Sequence, residues 1–69
     1  MSGAAGKDGV DAVSVVIPAL NEERTVAGVV DACLRSGAGE VLVIDSDSAD
    51  GTAAAAAAAG ARVVNWRDV

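Results

Sequence analysis

The chain contains no histidine, tyrosine or phenylalanine, and only one cysteine, one proline and one tryptophan among 69 residues. Each shortage removes a class of chemistry. Without an imidazole there is no general base for a hydrolytic triad, and no Cys/His spacing builds a zinc site. Cys33 stands alone, so no internal disulfide can form and a reducing compartment is expected. Basic side chains are scarce too. Five Lys and Arg face ten Asp and Glu, a formal charge of −5, which argues against nucleic acid or an anionic membrane as partner. A phosphate can still bind where a divalent cation or a helix N-terminus offsets the carboxylates. There is no signal-peptide pattern and no run of about 18 apolar residues, so no membrane segment is expected and the cytoplasm is the predicted location. Neither GxGxxG nor GxxxxGK[ST] occurs, which sets aside the usual dinucleotide and P-loop sites.

What the sequence does have is a repeated pattern of β-branched runs, helical stretches and short polar loops. Residues 41–52, VLVIDSDSADGT, read as a buried strand, an acidic loop at its carboxyl end and a helix start. Residues 13–17, VSVVI, form an earlier strand of the same kind, buried on both faces and ended by Pro18. Asn21 suits a helix N-cap, with Glu22 and Glu23 in the first turn. Val26, Val29, Val30, Cys33 and Leu34 then make one apolar stripe at helical spacing, stopped by Gly37 and Gly39. Core packing accounts for Cys33 in that stripe. Ser48 or Asp50 can cap the next helix, Ala53 to Ala59 carries it, Gly60 ends it, and residues 61–65, ARVVN, give a third strand.

The order strand, helix, strand, helix, strand, with right-handed crossovers, makes an α/β parallel sheet of the nucleotide-binding kind. Residues 1–11 lack periodicity and read as a disordered leader; residues 12–69 read as one partial domain, truncated after its third strand. A chain of this size buries only about 60% of its unfolded surface. Taken alone it is therefore expected to be partly molten or to aggregate.

Ligands in open α/β sheets bind beyond the carboxyl ends of the strands. Two polar loops fall there, one presenting Asn21 and Glu22, the other Asp45 and Ser46. Amides and hydroxyls can pair with the edge of a neutral base, and a carboxylate can accept from ribose hydroxyls. A nucleoside half-site fits these groups. Helix capping and turn formation fit the same residues equally well on spacing alone.

Two stretches, VSVVIPALNEE at 13–23 and VLVIDSDSADGT at 41–52, carry a resemblance. They look like the opening of GT-A fold, Rossmann-like nucleotide-sugar glycosyltransferases of the family 2 type. PALNEE, the Asp45-Ser46 pair and GARVV at 60–64 most resemble the branch that transfers glucose from UDP-glucose to 3-phosphoglycerate with retention. The resemblance implies that Pro18, Ala19, Leu20, Asn21 and Glu22 hold uridine, with Asp45 and Ser46 at the base edge. It also implies Mg or Mn as cofactor, a UDP-sugar donor and a small phosphorylated acceptor.

Asp45-Ser46-Asp47 spells the Asp-x-Asp pattern that such enzymes use for their metal, but in the family that motif follows a later strand. No metal ligand and no catalytic residue is assigned here; both are expected outside this chain, which alone should be inactive. Asp47 stands where the family usually has glycine, tolerable if φ there is not positive. Asp50, Gly51 and Thr52 match the end of the family loop, and helix capping explains them. Trp66 has no counterpart and reads as an edge contact. Two alternatives remain: another family 2 transferase with a different donor or acceptor, or a non-catalytic fragment that pairs its open sheet edge as a homo-oligomer.

Overall fold

A computed structural model of the chain describes residues 13–69. The expected leader lies outside the described residues. The elements run β1 (Ser14–Ala19), α1 (Val26–Arg35), β2 (Glu40–Asp45), α2 (Thr52–Ala58) and β3 (Arg62–Asn65), followed by a 3-10 turn at Trp66–Asp68. All strand pairings are parallel, in the order β1-β2-β3. The expected element order is therefore present.

Val26 and Val30 of α1, Val41 and Val43 of β2, Ala56 of α2 and Ala19 form the buried core. Both crossovers step the same way along the sheet, so right-handedness brings both helices to one face. Among the described residues no layer covers the other face. Register puts Val16 beside Leu42, and Pro18 beside Ile44 beside Val64, and Val16 is 55% exposed. Strands buried on both faces were expected, but the helices of the described residues cover one face only. Val29, expected in the packing stripe, is 45% exposed, because only the part of that stripe centred on Val26 and Val30 meets the sheet.

Two further expectations need correction. Pro18 does not end β1, which runs on to Ala19. The carbonyls of Val13 and Ala19 accept from Gly39 and Ser46 on the β2 side, so by alternation the nitrogen of Pro18 points away from β2, where no donor is required. Asn21 does not cap α1 either. Its φ is 52, the helix is preceded by Thr25, and no acidic residue lies in its first turn. A separate turn intervenes, in which the carbonyl of Glu22 accepts from the amides of Thr25 and Val26.

The helix stops match expectation. Gly37 and Gly60 have φ of 98 and 109, and each follows a helix whose last carbonyls are taken by the amides just beyond it: Ala38 to Cys33 and Gly37 to Leu34, then Ala61 to Ala56 and Gly60 to Ala57. A Cβ at Gly60 would also lie 3.2 Å from Cδ1 of Leu34. Gly60→Ala is expected to destabilise the full-length protein by roughly 1–2 kcal/mol, read as a lower urea midpoint. An unchanged midpoint would mean that the turn relaxes without strain.

Candidate functional site

Register levels the carboxyl ends of the strands, with Ala19 beside Asp45 and Asp45 beside Asn65. Three connections therefore emerge side by side: residues 20–25, residues 46–51 and the turn after β3. The amide of Ser46 donates to the carbonyl of Ala19 at 2.9 Å, extending the pairing past the end of β2. Ala19 and Ser46 are thereby fixed to each other by main chain.

The first two loops are then joined by a pair of hydroxyl relays. The amide of Asn21 donates to Oγ of Ser48 at 2.9 Å, and that hydroxyl donates to Oδ1 of Asp45. One residue on, the amide of Glu22 donates to Oγ1 of Thr52 at 2.8 Å, and that hydroxyl donates to Oδ1 of Asp50. Each hydroxyl passes a β1-loop amide on to a carboxylate, Asp45 at the end of β2 and Asp50 in the loop after it. Return bonds complete the clasp. Ala49 donates to Oδ1 of Asn21 at 2.8 Å and Gly51 to Oε1 of Glu23 at 3.1 Å. Glu23 donates in turn to Oδ2 of Asp50 at 3.3 Å.

Neither capping candidate is the N-cap of α2, which is Gly51 without a side-chain cap hydrogen bond. Asp50 accepts from the amide of Thr52 at 3.0 Å just before the helix, and both Ser48 and Asp50 serve the clasp. The Thr52 hydroxyl, with help from the amides of Thr52 and Glu23, holds the Asp50 carboxyl below the usual carboxylate range.

The structure brings all seven sequence-derived site residues to this end of the sheet. Ala19 is buried, while Pro18, Leu20, Asn21 and Glu22 are exposed; Leu20 at 53% offers an apolar side chain to solvent at the mouth. Asp45 is only 8% exposed, and both its carboxylate oxygens are taken by Ser48, whose amide donates to Oδ2 at 3.2 Å. Ser46, half-buried, stands beside it. A polar cavity of about 290 Å³ opens between the loops, lined by Asn21, Glu22, Glu23, Arg24, Thr25 and Asp50. The carboxylate of Glu22 accepts from Oγ1 of Thr25 at 3.1 Å there.

Sequence reasoning missed Ser48, Thr52 and Glu23 as the residues that join the loops. Only their spacing from Asn21 and Glu22 could have signalled it. The expectation for Asp47 is also corrected: it sits at φ 60 and is nevertheless an aspartate. Asn65 and Trp66 donate to its carboxylate and Arg67 adds its charge, so the group is held below the usual carboxylate range. Trp66, 51% exposed, contacts this loop.

Asp45 and Asp47 do not converge. One carboxylate faces Ser48 and the other Asn65, Trp66 and Arg67, so the pair does not fit a shared divalent cation. Among the described residues no cluster of three or more His, Cys, Asp or Glu could hold a metal ion. No helix among them is long and apolar enough to cross a membrane.

Residues 14–67 match the model of glycosyl transferase family 2. Glucosyl-3-phosphoglycerate synthase of Mycolicibacterium smegmatis is 52% identical over 56 residues, which cover 77% of this chain and 18% of that protein. The crystal structure of glucosyl-3-phosphoglycerate synthase from Mycobacterium tuberculosis, in complex with Mn2+, UDP-glucose and phosphoglyceric acid, superposes with a TM-score of 0.68 at 41% identity, covering 94% of this chain and 25% of that one. Mannosyl-3-phosphoglycerate synthase from Rubrobacter xylanophilus gives the same TM-score, 0.68, and the same 41% identity over 77% of this chain and 18% of its own. The chain thus spans about a fifth of the length of the relatives it matches.

Proposed function

Since this chain belongs to glycosyl transferase family 2 and its βαβαβ sheet is the opening of a GT-A domain, we propose that it supplies the uridine-binding part of a nucleotide-sugar glycosyltransferase. The reaction is glucosyl transfer from UDP-glucose to 3-phosphoglycerate with retention. The observation that carries this reading is the clasp. Two loops with free polar groups are locked together at level strand ends, so the surface they share is fixed before a ligand arrives, and a preformed site spends less of its binding energy on ordering.

On that surface Pro18 and Ala19 shape the floor, and Leu20 lies against the flat face of the base. Asn21 and Ser46 offer polar groups to the base edge. Glu22 accepts from the ribose hydroxyls. Asp45, already occupied by Ser48, holds Ser46 in place rather than meeting the donor directly.

A divalent cation, Mg or Mn, would neutralise charge on the diphosphate leaving group. The acids described here do not fit it, so its ligands are assigned to the rest of the enzyme together with the acceptor site. The protein is read as cytoplasmic, and edge pairing into a homo-oligomer is open to the exposed strands.

A second reading is another family 2 transferase with a different donor. The mannosyl and glucosyl relatives both match this stretch at 41% identity, over 77% and 94% of the chain. A donor panel of UDP- and GDP-linked hexoses, assayed with 3-phosphoglycerate on the full-length protein, tests both. Turnover with UDP-glucose supports the proposal. Turnover confined to a mannosyl donor would replace it, and no turnover with any donor would leave a non-catalytic binding role.

A further inference from the structure

Asp47 follows Ser46 directly and adopts φ 60, a conformation natural to glycine and tolerated among side chains chiefly by Asn and Asp. Both oxygens of its carboxylate accept hydrogen bonds. Oδ1 accepts from Nδ2 of Asn65 at 2.8 Å. Oδ2 accepts from Nε1 of Trp66 at 2.9 Å and from Nε of Arg67 at 3.0 Å, and Nη2 of Arg67 lies 3.0 Å from it in an ion pair. Three consecutive residues leaving β3 thus converge on one side chain.

The far partners are themselves ordered. Oδ1 of Asn65 accepts from the amide of Arg67 at 2.9 Å, which fixes the orientation of the Asn65 amide and leaves its nitrogen for Asp47. The Arg67 guanidinium lies 5.5 Å from the centre of the Trp66 ring. An isolated surface ion pair contributes little, but this arrangement is a fan of directional bonds with one acceptor at its hub. Among the described residues, every side-chain hydrogen bond between the β2–α2 loop and the β3 exit runs through Asp47.

The clasp fixes residues 48–52 to the β1 loop, and the Ser46 amide is held by Ala19. The third side of the loop is held by Asp47. We propose that Asp47 is a positioning residue for the donor site, anchoring the loop that carries Ser46 to the exit of β3 through Asn65, Trp66 and Arg67. This rests on the reading of Ser46 as a base-edge contact. The anchor acts through Ser46 and does not itself touch the nucleoside.

Asp47→Gly is the discriminating variant, since glycine adopts φ 60 without strain. If the side chain were merely tolerated, its removal would be neutral or stabilising. In the full-length protein the anchor instead requires a donor KM raised roughly three- to tenfold with kcat within about twofold, the pattern of lost binding that is equal in ground and transition states. Trp66→Phe should move KM in the same direction by less, and the double variant should do no more than Asp47→Gly alone.

A second readout needs no donor. The Trp66 indole N–H resonance should shift toward that of free indole in Asp47→Gly, and amide exchange at Ser46 and Ser48 should accelerate. Unchanged exchange at both amides would overturn the inference even if the indole resonance moved, and so would an unchanged KM in a protein that uses UDP-sugars. Accelerated exchange in a protein that neither binds nor uses UDP-sugars would uphold the anchor and remove the donor reading instead.

Discussion

Glu22→Ala in the full-length protein is expected to raise the KM for the UDP-sugar donor by roughly ten- to a hundredfold, the range that a hydrogen bond to a charged group supplies. The variant is clean because Glu22 does its structural work through main chain. Its amide donates to Thr52 and its carbonyl accepts from Thr25 and Val26, and all three bonds survive truncation. Only the contact with Oγ1 of Thr25 is lost, and that contact is exposed. Glu22→Gln keeps an acceptor but not the charge and should fall between alanine and wild type. A KM unchanged in both variants would show that the carboxylate does not meet the donor.

The second large effect is expected at Thr52, which is wholly buried at 0% exposure. Thr52→Val keeps the volume and removes the hydroxyl, so the Glu22 amide loses its acceptor and Asp50 loses a donor. Both groups are open to water, so the loss is that of the hydrogen bond from the Glu22 amide itself, about 1 kcal/mol. A lower denaturation midpoint should therefore accompany a higher donor KM, because the same hydroxyl sets the position of Glu22. Thr52→Ser, which restores the hydroxyl, should recover most of the KM while losing some packing. A valine variant with wild-type stability and wild-type KM would mean that the relay through Thr52 does not hold the loop.

The fold was largely legible in the sequence because period and punctuation agreed. Alternation was absent from 13–17 and 41–44, helical spacing was present from Val26 to Leu34, and Gly37 and Gly60 fell where the chain needed positive φ. Pro18 misled because its cost depends on which way its nitrogen faces, and that is a property of the sheet. The two-sided burial expected for the strands is not met among the described residues, for a nonlocal reason: which layers cover a sheet is not written in the strands themselves.

The seven site residues named from the sequence lie together at the carboxyl end of the sheet, on or beside the two loops that the clasp joins. The sequence could not reveal that Ser48 and Thr52 are shared between loops, since those bonds span 27 and 30 residues. Nor could it reveal that Asp45 and Asp47, two residues apart, send their carboxylates to different partners. Asn21 was legible as a residue with a special role and illegible as to which one. The same short amide that caps helices also accepts positive φ, and tertiary bonds to Ser48 and Ala49 decided between them.

The most direct measurement is a crystal structure of the full-length protein with UDP and Mn2+. The expected result places the uracil between residues 18–22 and Ser46, with the ribose hydroxyls on the carboxylate of Glu22 and no cation on Asp45 or Asp47. Uracil bound away from these two loops, or Mn2+ held by Asp45 and Asp47, would contradict the assignment of this region as the nucleoside half of the donor site.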